Sequence, residues 1–194
     1  MTKQSIRQEI KVLCSQHAEE FTEKSADICQ KIISSLVYKE AEVVLGYMAL
    51  KDEVNLGLFI LDALKKGKKT AVPKIMDFEK GVMKFFYLDK EQTLGTQTES
   101  GTLGIKEPDE KKLLPVEPDT IKNKKTLILV PGRAFTLSGD RLGRGKGFYD
   151  SFLNELKGKN NITLAGVCFD FQIKKSLPVD DRDIKMDRIF TLQV

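Results

Sequence analysis

Two apolar runs, Ala41 to Leu50 (AEVVLGYMAL) and Lys69 to Ile75 (KTAVPKI), bracket a segment in which Leu56, Phe59, Ile60, Ala63 and Leu64 recur at helical spacing. Short apolar runs between turn residues read as strands, and i, i+3, i+4 spacing reads as a helix with one buried stripe. Gly67 stands where a helix C-terminus favours glycine. Strand, helix and strand within about 35 residues direct the chain to a right-handed parallel crossover, because parallel neighbours need a connection of that kind. The expectation is an α/β fold, a single domain with a largely parallel central sheet flanked by helices.

The rest of the chain extends this pattern. Ile6, Ile10 and Leu13, then Ile28, Ile32 and Leu36, mark two helices in the first 38 residues, with Thr22 the candidate N-cap between them. Val82 to Leu88 alternates like a strand that pairs antiparallel, and residues 91–120, rich in Thr, Gly, Glu, Lys and Pro, read as an irregular excursion beside the sheet. The run Thr126 to Val130 (TLILV) suits a strand buried on both faces. A helix over Phe148 to Leu156 and strands at Thr163 to Phe169 and Arg188 to Val194 complete the reading. A chain of 194 residues fits one domain spanning 1–194.

Charge narrows the function classes. Thirty-two basic residues face 28 acidic ones, and a formal charge of +4 is too mild to argue for nucleic acid by itself. Cys14, Cys29 and Cys168 are odd in number and widely spaced, without a C-x-x-C pair, so neither a disulfide framework nor a zinc site is suggested. The first 20 residues lack the apolar run of a signal peptide, and no window approaches the roughly 18 apolar residues of a membrane span. These features predict a cytoplasmic protein, without membrane or nucleic-acid partners and monomeric.

The densest chemistry lies in Pro131 to Asp150, PGRAFTLSGDRLGRGKGFYD, which leaves the buried strand and enters a helix. Ligands of open α/β sheets bind outside the carboxyl ends of the strands. Here Gly143, Gly145 and Gly147 alternate with Arg144 and Lys146 and follow Arg141. Glycines let backbone approach a phosphate, the helix start adds free N–H groups, and the basic side chains add charge. The segment is not a Walker loop, since Asp140 and Gly147 stand where a glycine and a Ser or Thr are required, and the G-x-G-x-G spacing is not the dinucleotide fingerprint. From the residues alone, a polyphosphate cradle, a solvated turn and an RNA contact all remain open.

The order and spacing of RLGRGKGFYD at 141–150, preceded by P-G-x-A-F and Gly139, resemble the signature of the 5-formyltetrahydrofolate cyclo-ligase family. Lys3 to Arg7 (KQSIR) resembles that family's K-x-x-L-R, and Tyr47 to Val54 its strand ending in an acid and an aliphatic residue. Gly104 to Pro108 (GIKEP) resembles its G-I-x-E-P, and Leu177 to Thr191 its C-terminal stretch with spaced aspartates.

The resemblance implies a fold of the methenyltetrahydrofolate synthetase type. It also implies Mg²⁺- and ATP-dependent cyclisation of 5-formyltetrahydrofolate, with or without a polyglutamate tail, to 5,10-methenyltetrahydrofolate. Lys3, Arg7 and Arg141, Leu142, Gly143, Arg144, Gly145, Lys146, Gly147, Phe148 and Tyr149 would bind ATP. Met48, Glu53 and Arg144 to Phe148 would contact folate, Asp150 and Asp183 would hold Mg²⁺, and Arg144 and Lys146 would stabilise the moving phosphoryl group.

This chain departs from the family pattern at Phe148, where many members have tyrosine, at Arg133 and Thr136, where aliphatic and acidic residues are more usual, and at Arg182, often histidine. Structural roles stand beside the chemical ones. Asp150 could complement a helix start and Asp183 belong to a solvated acidic turn. Glu53 could be a first-turn acid, Lys3 and Arg7 wet residues on a terminal helix, and Tyr47 and Met48 core-edge residues. Two other function classes remain, a sugar-phosphate isomerase or deaminase on a related scaffold and a non-catalytic RNA-binding protein.

Overall fold

A computed structural model describes residues 1–156, 158, 160–181 and 183–193. Helices α1 (Lys3–Gln16), α2 (Phe21–Ser34) and α3 (Leu36–Glu40) precede strand β1 (Val43–Leu45), helix α4 (Gly57–Lys65) and strands β2 (Lys69–Asp77) and β3 (Val82–Tyr87). A hairpin of β4 (Thr98–Ser100) and β5 (Lys106–Pro108) follows, then the short helix α5 (Pro118–Ile121) and β6 (Thr126–Pro131). A second hairpin, β7 (Ala134–Phe135) with β8 (Arg141–Leu142), leads through the glycine loop into α6 (Phe148–Asn154), β9 (Ile162–Val167) and β10 (Arg188–Phe190).

Six strands form one sheet in the order β10-β9-β6-β1-β2-β3, parallel throughout except for the antiparallel β2–β3 pair. The α/β architecture predicted from the first crossover is therefore present, antiparallel edge strand included. The alternation of strand residues decides what covers each face. Val44, Val72, Leu127 and Leu129 pack with α2, α3 and α4, whereas Val43, Leu45, Ala71, Ile128 and Val130 pack with Ile121 of α5 and Phe152 and Leu153 of α6. Leu127 to Val130 are completely buried, as the continuous apolar run requires. The chain passes from β1 to β2 on one side and later returns to β6 on the other, so strand order reverses at β1–β6. That reversal opens the crevice in which such sheets bind ligands.

Local chemistry explains where boundaries differ from the sequence reading. Helix α2 starts at Phe21, before Thr22, because the Phe21 ring stacks on Phe169 at 4.3 Å and is drawn into the core. Helix α1 has the better cap, a reciprocal box between Thr2 and Ser5. The final strand stops at Phe190, because Asp170 Oδ1 accepts from the backbone N–H groups of Leu192 (2.9 Å) and Gln193 (3.1 Å). Val194, included in the predicted strand, lies outside the described residues, as does Arg182. Residues 91–120 are more ordered than the excursion predicted for them: β4–β5 folds back against β2, and Lys74 ties it down through Glu99 at 2.6 Å.

Candidate active site

A cavity of about 720 Å³ opens beyond the carboxyl ends of β1 and β6, at the reversal point. Its floor is the chain just past each strand, Tyr47 and Met48 after β1 and Pro131 and Gly132 at the end of β6. The glycine loop between β8 and α6 forms one wall, and β2, β3 and the β4–β5 hairpin supply an apolar wall of Pro73, Ile75, Phe78, Met83, Leu103 and Ile105. The N-terminal turn of α1 and the Asp180–Asp183 segment close the remaining side.

The glycine loop holds its shape through its glycines and cations. Gly147 has φ of 76° at the start of α6, a conformation that a side chain disfavours. Gly139, in the β7–β8 turn, has φ of 99°, and a Cβ there would fall 2.1 Å from the Met186 carbonyl oxygen. Only glycine lets the C-terminal segment fold back so closely, with Met186 N–H donating to Gly139 O at 2.8 Å. Arg7 of α1 donates from Nε to Gly143 O at 2.9 Å, tying the N-terminal helix to the loop.

The basic side chains are paired with acids in or beside the cavity. Arg141, with a side chain only 4% exposed, donates to Asp150 Oδ1 (2.7 Å) and to Pro131 O (3.1 Å), while its buried Nε has no partner among the described residues. Arg144 donates from Nε to Glu53 Oε1 at 2.9 Å and from Nη2 to Asp52, whose other oxygen accepts from Arg133. Burial opposes charge on Arg144, yet Glu53 and Asp52 more than offset it and raise its pKa. Burial likewise pushes Asp52 up, but the two guanidinium groups win and hold its carboxyl below the usual range. Lys3 reaches Asp183 at 2.6 Å and Asp180 at 2.9 Å, and the bond to Asp183 leads the rise in its pKa. Lys146 lies 4.4 Å over the Phe78 ring, with only the exposed Glu79 as ion-pair partner at 3.4 Å among the described residues.

Every residue assigned to the site from the sequence lines this one cavity: Lys3, Arg7, Met48, Glu53, the run Arg141 to Asp150, and Asp183. Sequence reasoning missed others. Tyr47, taken for a core-edge residue, is 2% exposed and lines the cavity, and its buried hydroxyl has no partner among the described residues. Burial, with Glu53 nearby, raises its pKa well above the ordinary phenol value. Glu107 of the GIKEP segment also lines the cavity, 3% exposed, with burial pushing its carboxyl up. Asp52 and Arg133 complete the ion network around Arg144. Their signals were faint: an acid beside Glu53, and a departure from a family pattern.

The aspartates can be tested as cation ligands. Asp150 Oδ1 takes Arg141, and Asp183 Oδ2 takes Lys3 and the Asp180 N–H, so each keeps one oxygen without a protein partner among the described residues. No cluster of three metal-capable side chains occurs among the described residues. This donor set fits Mg²⁺ that completes its shell with phosphate oxygens and water, its usual mode of binding, and not a cage built from protein alone.

A profile of the 5-formyltetrahydrofolate cyclo-ligase family matches residues 1–192. The chain belongs to this family. It is 29% identical over 191 residues to mouse 5-formyltetrahydrofolate cyclo-ligase, covering 96% of this chain and 92% of that protein. It is 31% identical over 183 residues to a probable 5-formyltetrahydrofolate cyclo-ligase of Schizosaccharomyces pombe, covering 87% and 83%. The solved structure of Aquifex aeolicus 5,10-methenyltetrahydrofolate synthetase superposes with a TM-score of 0.77 at 29% identity, over 98% of this chain and 90% of that one. The resemblance read from residues 141–150 is thereby borne out, and the chain is an enzyme of the ligase class. No helix among the described residues is long and apolar enough to cross a membrane.

Two departures from the cyclo-ligase pattern have local explanations. Thr136 is buried and bonds Ser138 and Asp140, each at 2.9 Å, closing the β7–β8 turn. Phe148 packs at an angle against Phe78 with ring centroids 5.9 Å apart, a contact that needs the ring and not a hydroxyl.

Proposed function

We propose that this chain, as one cyclo-ligase domain, converts 5-formyltetrahydrofolate to 5,10-methenyltetrahydrofolate at the expense of ATP in the cavity above β1 and β6. The observation that carries the reading is the convergence of widely separated segments on that cavity. Lys3 and Arg7, Met48 and Glu53, Arg141 to Asp150 and Asp183 meet there, although nothing in chain order brings them together.

The formyl oxygen of the substrate attacks the γ-phosphorus of ATP, ADP leaves, and the oxygen becomes part of a good leaving group. N10 of the folate then forms its bond to the formyl carbon and gives up its proton to solvent, and the C–O bond breaks to release phosphate. Nucleophile and leaving groups belong to the substrates, so the protein's part is positioning and charge stabilisation. Arg141, held by Asp150 and Pro131 O, supplies a fixed positive charge in the cavity wall behind the phosphates. Arg144 and Lys146 stabilise charge on the moving phosphoryl group. Asp150 and Asp183 would hold Mg²⁺, which would supply positive charge against that of the phosphates. The apolar wall with Met48 accepts the flat pterin, Glu53 offers an acceptor at its edge, and Tyr47 belongs to the floor beneath. Lys51 and Lys106 line an adjoining groove that shares Met48, Glu53 and Arg144 with the cavity, a disposition that suits the anionic glutamate tail of a folate.

A sugar-phosphate isomerase would need no nucleotide, and an RNA platform would leave the cations of the loop open to solvent. Here Arg141 and Arg144 are paired with Asp150 and Glu53 of the same cavity. The test follows methenyltetrahydrofolate formation from 5-formyltetrahydrofolate by absorbance, with ATP and Mg²⁺ together and with each omitted. Product only in the complete mixture is expected. Full turnover without nucleotide refutes the proposal.

A further inference from the structure

We infer that Arg133 is a positioning residue for the reaction, holding Asp52 so that Arg144 keeps its aim and its positive field. The inference rests on the proposed role of Arg144 at the transferred phosphoryl group. Arg133 follows β6, and its backbone is fixed on both sides, its N–H donating to Leu142 O at 2.7 Å and its carbonyl accepting from Gln172 Nε2 at 3.1 Å. Its side chain is 14% exposed and ends on Asp52. Asp52 divides its carboxylate, one oxygen to Arg133 and the other to Nη2 of Arg144. Arg144 Nε is taken by Glu53 at 2.9 Å, and Glu53's second oxygen accepts from Leu50 N–H at 3.0 Å. The guanidinium of Arg144 is therefore pinned at two nitrogens from two directions, and Nη1 has no protein partner among the described residues.

Two consequences of losing Arg133 follow from this geometry. A carboxylate freed of one guanidinium prefers to take both oxygens to the other, because paired parallel bonds are the favoured arrangement. Asp52 would then pull Arg144 into a fork-to-fork pair and away from Glu53. Charge balance also changes. With Arg133 present, two cations face two carboxylates and the group is formally neutral; without it, Arg144 is left between Asp52 and Glu53 and the group is net negative. Both effects weaken stabilisation of a phosphoryl group that gains negative charge at the transition state. Glu53 and Met48 remain where they are, so folate binding should change little.

The experiment compares Arg133→Met, Arg133→Lys, Asp52→Asn and the Arg133→Met/Asp52→Asn double variant in the full chain, measuring kcat and the KM for each substrate, with Arg144→Ala as reference. Arg133→Met should lower kcat by between about tenfold and about a hundredfold, the scale of a misplaced catalytic group. The folate KM should stay within about twofold, since an interaction made only in the transition state leaves ground-state binding intact. Arg133→Lys, which restores the charge, should recover most of the loss. In the Asp52→Asn background no carboxylate is left to be released, so Arg133→Met should cost no more than about threefold there, strong non-additivity for residues in contact. Losses that multiply, or a normal kcat in Arg133→Met with only a lower melting temperature, overturn the inference. If Arg133→Met fails to fold, Arg133→Lys and Asp52→Asn decide: full loss in the lysine variant overturns it. An active Arg144→Ala would instead overturn the role of Arg144 itself, which separates the two failures.

Discussion

Replacing Asp150 with asparagine separates its two assigned roles from a role as a mere helix-start acid. In the ligand-free protein Asp150 is, among the described residues, the only carboxylate bonded to Arg141, whose side chain is 4% exposed against 26% for Asp150. Stripping the partner from a fully buried ion pair costs about 3–5 kcal/mol. Asp150 is partly wet, the side chain of the Asp150→Asn variant keeps an amide oxygen that can accept from Arg141, and Pro131 O still holds Nη1, so the cost falls to about 1–2 kcal/mol, in the range of one hydrogen bond to a charged group. For a chain of this size each kcal/mol moves the melting temperature by about 2–4 °C, giving a drop of about 2–8 °C without ligand. Asp183→Asn should cost less stability, because its Lys3 partner is 29% exposed. In a Mg²⁺ titration of turnover at fixed ATP, both variants should shift the midpoint upward by roughly tenfold, since an amide keeps the shape and loses the charge that attracts a hard cation. The double variant should add little further, because the first change already releases the ion. Asp150 is the third residue of α6, after Gly147 at the N-cap, so as a mere first-turn acid its change to Asn would cost only the dipole interaction, about 0.3–1 kcal/mol, and leave the Mg²⁺ midpoint unmoved. An unchanged melting temperature with an unshifted Mg²⁺ midpoint refutes the reasoning.

Lys146→Ala should leave folding intact and lower turnover by roughly a hundredfold, the usual scale for one lost transition-state charge; normal turnover would make Lys146 a surface cation resting on Phe78. Tyr47→Phe should be neutral or slightly stabilising in thermal unfolding, because it removes a buried hydroxyl with no partner among the described residues; a clear loss of stability would show that the hydroxyl is bonded in the folded protein. Phe148→Tyr should keep both fold and activity, since the ring lies at the cavity edge against Phe78; loss of folding would show that this position tolerates no hydroxyl. Asp52 has a folded-state pKa depressed by Arg144 and Arg133 in spite of burial, so its contribution to stability is present above about pH 4 and is lost as pH falls through the lower folded value. Asp52→Asn should accordingly flatten stability against pH below about 4 in acid denaturation, and an unaltered slope would show that the pair contributes nothing.

How much could be read in advance depended on whether the physics acted locally. The crossover from β1 through α4 to β2 was legible because hydrophobic spacing alone distinguishes strand from helix, and the buried run of β6 because four consecutive apolar residues suit a strand covered on both faces. The glycine loop was legible through the order and spacing of RLGRGKGFYD, which resemble the family's signature, whereas alternation of Gly with Arg and Lys alone left a solvated turn and an RNA contact open. Thr22 misled because a capping propensity of about 1 kcal/mol is outweighed when Phe21, one residue earlier, stacks on Phe169. The hairpin inside residues 91–120 has strands of three residues, too short for alternation to show, and its place depends on Lys74 reaching Glu99 from another strand. Tyr47 and Glu107 were hidden for a deeper reason. An orphan hydroxyl or a buried carboxyl becomes a functional signal only when its surroundings are known, and those surroundings come from segments distant in the chain. Arg133 is the instructive case: as a residue it reads as an odd replacement for an aliphatic side chain, and only Asp52, brought to it from beyond β1, turns the oddity into a charge that balances the site.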